Sequence, residues 1–281
     1  MAKTKYLSAR EVQLCELEIL KQYIKFCEKH KLTYFIYAGS LLGAIRHKGF
    51  IPWDDDIDVI MPRPDYEKFR ALINEGKTIA PNLKVVIPED EPCPRFTFCK
   101  VFDLSITTES ENGIDTGHLF IDIFQVDGMP DKNPEKYLAK VTRLREFMRI
   151  KRFQADKSIK NNQNYAKQST LRKIAGKIRR APLVFIRYEW IINRIWKYCR
   201  KYNYETAHYV SNVSWVRKPG NILEKSWLEK TKKVPFEDIK VNVFNHYEIF
   251  LARCYGDNYM EMPPKYMQKT HHLKAWRTET K

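Results

Sequence analysis

The 281-residue sequence predicts an α+β fold followed by a basic, mainly helical lobe, and three observations predict it. Five runs rich in β-formers alternate with helical periodicity before Pro134. Beyond Pro134 the pattern changes to long helical stretches with many aromatics. The charge is not spread evenly. Residues 140–201 hold 19 Lys/Arg and 3 Asp/Glu, the whole of the +16 net charge, and the other 219 residues hold 31 of each sign. The resulting division is a core over 1–135, a basic helical lobe over 136–240, and a C-terminal segment over 241–281 that returns to the core.

Ser8 and Glu11 form a capping box ahead of the first helix. Leu17, Leu20, Ile24 and Cys27 then repeat at helical spacing, as one buried stripe does. LTYFIYAGS reads as a strand closed by the turn Gly39-Ser40, and SLLGAIRH as a short helix. IPWDDDIDVIMP is a loop entering a strand, ended by Pro62 and Pro64. A helix follows from Asp65 to about Asn74. LKVVI (83–87), FTFCKVF (96–102) and LFIDIFQV (119–126) are further strands. No internal repeat is visible.

Composition excludes several classes. With 43% hydrophobic residues, 10 Gly and 14 Pro, the chain is neither disordered nor collagen-like. Charges interrupt MAKTKYLSAREVQLCELEIL, so it lacks the apolar run of a signal peptide. No window offers ~18 uncharged apolar residues for a membrane span. Six cysteines without a C-x-x-C pair read as reduced thiols. The expected location is the cytoplasm, either free or peripheral at the inner face of the membrane.

The strongest chemical signal is Pro52-Trp53-Asp54-Asp55-Asp56-Ile57-Asp58-Val59-Ile60. On a strand, Asp54, Asp56 and Asp58 share one face and Ile57, Val59 and Met61 the other. Clustered carboxylates repel unless a cation neutralises them, and oxygen ligands at i and i+2 suit Mg²⁺ shared with substrate phosphates. The alternative is a solvated acidic turn. Gly39-Ser40, at a helix start fifteen residues earlier, lets backbone N–H groups approach a phosphate. Asp122, among Ile121, Ile123 and Phe124, is costly to bury without a partner. It either completes a metal site, acts as base for an acceptor hydroxyl, or is a hydrogen-bonded structural residue.

Together these features resemble the nucleotidyltransferase-fold arrangement, a mixed sheet with helices. The longer stretch AGSLLGAIRHKGFIPWDDDIDVIMPRPDYEKF is very similar to the signature of the LicD family, phosphocholine transferases of bacterial surface polysaccharides that share it with fukutin-type enzymes. HLFIDIFQVDGMP and YGDNYMEMPP (255–264) agree with it. Typical members read FPLDG where this chain has Phe124-Gln125-Val126-Asp127-Gly128. The match covers roughly 33–130 and 244–276, and the basic window between carries no family motif.

The resemblance implies transfer of a phospho-alcohol from a CDP-activated donor to a sugar hydroxyl, with release of CMP. Asp56 and Asp58 would bind Mg²⁺ (Mn²⁺ as the alternative), in preference to the equally spaced Asp54/Asp56 pair. Asp122 would be the third carboxylate, as ligand or base. Gly39 and Ser40 would cradle a phosphate and Arg46 pair with one. Lys100 is either a donor-phosphate contact or a solvated strand lysine. His271 and His272 either reach the donor from a folded-back tail or form a surface pair. CDP-choline is the favoured donor, with CDP-glycerol or CDP-ribitol, or a true nucleotidyltransferase reaction, as the alternatives. A choline headgroup needs an aromatic enclosure, for which Tyr37, Trp53 and Trp215 are candidates. The acceptor would be a glycan or lipid-linked glycan.

Residues 170–201 interleave Lys/Arg with Leu, Ile, Val, Phe and Trp, as a basic amphipathic helix at an anionic membrane surface does. An ordinary solvated lobe is the alternative. Nucleic acid is not the expected partner, because passive binding has no need of an acidic cluster. A non-catalytic membrane or nucleic-acid binding module is the reading from a different class.

Overall fold

The computed structural model describes residues 5–110, 116–155, 186–215, 219–268 and 273–278. Helix α1 (Ala9–His30) begins at the capping box: the Ser8 hydroxyl accepts from the Glu11 N–H at 3.3 Å, and the Ser8 N–H donates to Glu11 Oε2 at 2.8 Å. It stops at Lys31, whose left-handed backbone (φ 54°) cannot continue a helix. The stripe Leu17, Leu20, Ile24 and Cys27 is buried, and the helix packs against strand β5 (Thr116–Gly128).

The main sheet is mixed. Its order is β1 (Phe35–Ile36), β2 (Asp58–Pro62), β5, β4 (Cys99–Ser110) and β10 (Leu273–Arg277). β2 and β5 run parallel, and the other pairings are antiparallel. β4 is long enough to serve two partners along one edge: β3 (Leu83–Val86) pairs with residues 100–103, and β10 with 106–110. Val59, Met61, Cys99, Val101, Ile121 and Ile123 are fully buried and form the centre of the core.

The first strand is shorter than the sequence suggests. Ala38 adopts a left-handed φ of 47°, so the chain turns directly from Tyr37 into helix α2 (Ala38–Arg46). Gly39 and Ser40 therefore lie in the first turn of that helix. α3 (Arg63–Asn74) leads back under the sheet, started by Pro64 in its first turn.

Helices α4 (Pro134–Ala155) and α5 (Tyr188–Cys199) pack on each other through a second core that includes Leu138, Val141, Met148, Ile191, Ile195 and Trp196. The sequence assigns 136–240 to a helical lobe, but its end is extended. β6 (Tyr209–Ser211) and β7 (Leu223–Glu224) prolong the sheet from β5. β8 (Thr231–Phe236) and β9 (Ile239–Phe244) form a hairpin whose Phe236, Val241, Val243 and Phe244 are buried in the main core beside α2 and β1. Helix α6 (Tyr247–Tyr255) buries Phe250 and Leu251 in the same core. Residues 156–185, half of the basic window, lie outside the described residues. Among those described, no helix is long and apolar enough to cross a membrane. All six cysteines are free thiols.

Candidate active site

Three side chains line up across three strands. In the parallel register Asp58 on β2 stands opposite Asp122 on β5, and in the antiparallel register Asp122 stands opposite Lys100 on β4. Lys100 donates from Nζ to Asp122 Oδ1 at 2.7 Å. Lys100 is only 2% exposed and Asp122 9%. The solvated-lysine alternative is thereby removed, because this ammonium is buried beside a carboxylate. Strand alternation puts Phe98, Phe102, Phe120 and Phe124 on the same face as this row.

The sequence places Asp54, Asp56 and Asp58 on one face of a strand. The structure begins that strand at Asp58, and Asp54 to Asp56 lie half-buried in the loop before it. The loop is held from two sides. The Gln13 side-chain amide on α1 donates to the carbonyls of Ile51 (3.3 Å) and Asp54 (2.8 Å). From α2, the Ser40 hydroxyl donates to the Asp56 carbonyl at 3.4 Å and accepts from the Asp58 N–H at 2.9 Å. Ser40, expected to cradle a phosphate, thus fixes the backbone of the acidic segment. Gly39 gives room to the same loop: a Cβ there would stand 2.8 Å from Asp54 Oδ2. The carboxylate of Asp54 therefore lies against the first turn of α2, where helix N–H groups lack intrahelical partners.

The carboxylates of the site crowd one another. Burial drives the Asp58 carboxyl well above its usual range, and the neighbouring Asp56, Asp122 and Asp54 push it the same way, while Lys100 opposes. On the α1 side, Glu16 is 1% exposed and its Oε2 has no hydrogen-bond partner. Burial, then Asp56, Asp55, Asp54 and Asp122, drive its carboxyl up as well. Among the described residues, no three Asp, Glu, His or Cys side chains are gathered into a group able to hold a metal alone. Asp58 and Asp122 still offer neighbouring carboxylates, and Mg²⁺ typically takes one or two, completing its shell with water and substrate phosphates. The residues fit an ion shared with a phosphorylated substrate.

The other expected residues are placed as follows. Arg46 donates from Nη1 to the carbonyls of Tyr259 (2.9 Å) and Glu261 (3.0 Å), and so ties the end of α2 to the YGDNYMEMPP segment. Tyr255, at the start of that segment, is 42% exposed as a residue, while burial of its hydroxyl and the nearby Asp58 push that hydroxyl up. His271 and His272 lie outside the described residues. Tyr37 is buried, accepts a hydrogen bond from Asn221 Nδ2 at 2.8 Å and packs on Phe250. Trp53 meets His47 edge-on. Trp215 packs on Phe98 and lies beneath the guanidinium of the buried Arg145. Asp127, in the FQVDG stretch, is a structural residue: it accepts from Arg63 Nε at 2.6 Å, and burial pushes its carboxyl up to about 6 despite that partner.

Glu16, Tyr255 and Arg145 are neighbours of the site that sequence reasoning missed. Glu16 had a signal, since it falls with Gln13 on the apolar stripe of α1, where a charge is out of place. Arg145 had none, being one of 19 basic residues in its window.

The model of the family described as LicD/FKTN/FKRP, nucleotidyltransferase domain, matches residues 31–182. The chain is 32% identical over 278 residues to the lipopolysaccharide cholinephosphotransferase LicD of Haemophilus influenzae, covering 96% of this chain and 97% of that protein. Shorter likenesses are found to uncharacterized proteins of Rickettsia typhi (30% identity over 80 residues; 28% of this chain, 26% of that one) and Rickettsia prowazekii (38% over 55 residues; 20% and 21%).

Proposed function

The chain belongs to the LicD family, and from that premise we propose that it moves phosphocholine from CDP-choline to a hydroxyl of a cell-surface glycan precursor, releasing CMP. The glycan would be a teichoic acid, capsule or lipopolysaccharide precursor. The observation that carries the reading is the row Asp58–Asp122–Lys100, two carboxylates and a buried ammonium on neighbouring strands. Passive binding does not require such a costly arrangement of buried charge.

Phosphoryl transfer needs an aligned acceptor and neutralisation of charge on the leaving group. Asp58 and Asp122 are the residues that would hold Mg²⁺ together with the donor's phosphates, with Asp56 on the adjoining loop as a further carboxylate; when bound, the ion supplies positive charge to the donor diphosphate. Ser40 and Gln13 fix the acidic loop, so the carboxylates are placed before substrate arrives. Lys100 adds a second cation at the same row. Asp122, at the centre, is positioned to take the acceptor proton late in the transfer.

Release of CMP from CDP-choline with a glycan acceptor tests this. CDP-glycerol, CDP-ribitol and CTP in parallel report the donor, and no nucleotide release from any of them would leave a binding module instead.

A second observation bears on location. α5 exposes Trp190, Arg194 and Lys197 on the side away from its buried Ile191, Ile192 and Ile195. A groove of about 730 Å³ beside it is bordered by Arg70, Lys197, Arg200 and Lys201, with Glu89 as its one acidic lining residue among those described. An aromatic among cations on one helix face suits an anionic membrane surface. Flotation with anionic liposomes at low salt is the test, and failure to float would end this part of the reading.

A further inference from the structure

The ammonium of Lys100 is enclosed by rings as well as paired. Its Nζ lies 3.2 Å from the ring centroid of Phe120, 4.5 Å from that of Phe96 and 5.2 Å from that of Phe98. These rings, with Lys100 itself, line a cavity of about 250 Å³, and Lys100 links it to Asp122. Three aromatic faces around one cation within ~6 Å are the arrangement by which proteins hold quaternary ammonium groups. Glu91, Arg95 and His118 also line the cavity, so the choice of donor at the rings rests on charge: the ring faces attract a trimethylammonium cation and offer no such attraction to a neutral glycerol or ribitol chain.

We propose that the pocket formed by Phe96, Phe98 and Phe120 receives the quaternary ammonium headgroup of the donor, and that Lys100 gives up its place to it. The inference rests on the phosphocholine reading and adds the residues that would select the donor. The headgroup brings a positive charge to the place the ammonium leaves, so Asp122 keeps a cationic neighbour. Lys100, on a flexible four-carbon stem, then turns toward the diphosphate. This enclosure differs from the candidates Tyr37, Trp53 and Trp215: Tyr37 is packed in the core, and Trp215 lies beneath the Arg145 guanidinium.

Titration calorimetry of the full chain with CDP-choline and with CDP-glycerol tests this, using wild type, Phe120→Leu and Phe96→Leu. Leucine keeps the apolar volume and removes the π face. The expected result is a wild-type preference for CDP-choline that falls ~10-fold in each variant, with CDP-glycerol affinity unchanged. Phe96 is half-buried, so its variant keeps the test open if Phe120→Leu does not fold. A wild-type preference retained in both variants overturns the pocket and leaves the donor reading standing. No wild-type preference overturns both.

Discussion

Lys100 Nζ stands 2.7 Å from Asp122 Oδ1 across β4 and β5, and Asp122 is in turn the register partner of Asp58. One buried ammonium thus shares a row with a buried carboxylate, Asp122, and a half-buried one, Asp58. Removing one member of a buried pair is destabilising, by up to about 3–5 kcal/mol. Lys100→Met is expected to destabilise by that order, and Lys100→Met/Asp122→Asn by clearly less than the sum of the two single variants. Urea unfolding of the four proteins measures the coupling. Additive effects would show that the pair does not act as a unit.

Asp58 predicts the opposite sign for stability. Asp58 is half-buried, and its carboxyl is raised by desolvation and crowded by Asp56, Asp122 and Asp54. Asp58→Asn keeps the shape and removes the repulsion, so the folded state should gain about 1 kcal/mol, in the range of other single changes that relieve strain at functional sites. Turnover of CDP-choline should be abolished. Thermal melting and a CMP-release assay on one preparation check both halves, and near-normal turnover would remove Asp58 from the site.

These relationships were unequally visible in the sequence. The acidic run was legible because Asp-x-Asp entering Val59-Ile60-Met61 is anomalous for a buried strand. Asp122 was legible for the same reason. The pairing of Lys100 was not, since a strand lysine is usually solvated and only the register with β5 shows otherwise. The rings of Phe96, Phe98 and Phe120 look like core residues until a cation is found among them. The hairpin β8–β9 was hidden because its outer face is mostly lysine and Pro235 interrupts it, leaving short apolar alternation at Val241, Val243 and Phe244. Ala38 turns the chain early, so Gly39 and Ser40 fall in the first turn of α2, and Ser40 there also braces the acidic loop, which the sequence did not show.

Ser40 gives a kinetic prediction that separates brace from phosphate contact. Its hydroxyl bonds the Asp56 carbonyl and the Asp58 N–H, so Ser40→Ala lets the acidic segment shift. Small displacements of catalytic groups cost on the order of 10²-fold in rate. We expect kcat to fall by about that factor with KM for CDP-choline nearly unchanged. A rise in KM at constant kcat would instead show that Ser40 binds the donor.

The frame supporting the loop has its own pH signature, through Glu237 at the β8–β9 turn. Glu237 accepts from both terminal nitrogens of Arg10 on α1 (3.0 and 2.5 Å) and from the Phe50 N–H at 3.1 Å. It thereby joins the first helix, the segment before the acidic loop and the hairpin. The Arg10 hydrogen bonds hold the carboxyl below its ordinary value of 4.5; burial opposes this, and the Phe50 N–H and the Arg10 charge act in the same direction as the hydrogen bonds. A carboxyl depressed in the folded state stabilises fully above its unfolded value, and that stability is lost as pH falls through the lower, folded one. Arg10 is half exposed, so solvent screening keeps the contribution near ~1 kcal/mol. Glu237→Gln should therefore be about that much less stable than wild type at pH 7. The difference should shrink steadily below pH 4.5, and chemical unfolding at a series of pH values measures it. A difference that stayed constant down to the acid limit would assign the effect to packing at the turn rather than to the carboxylate.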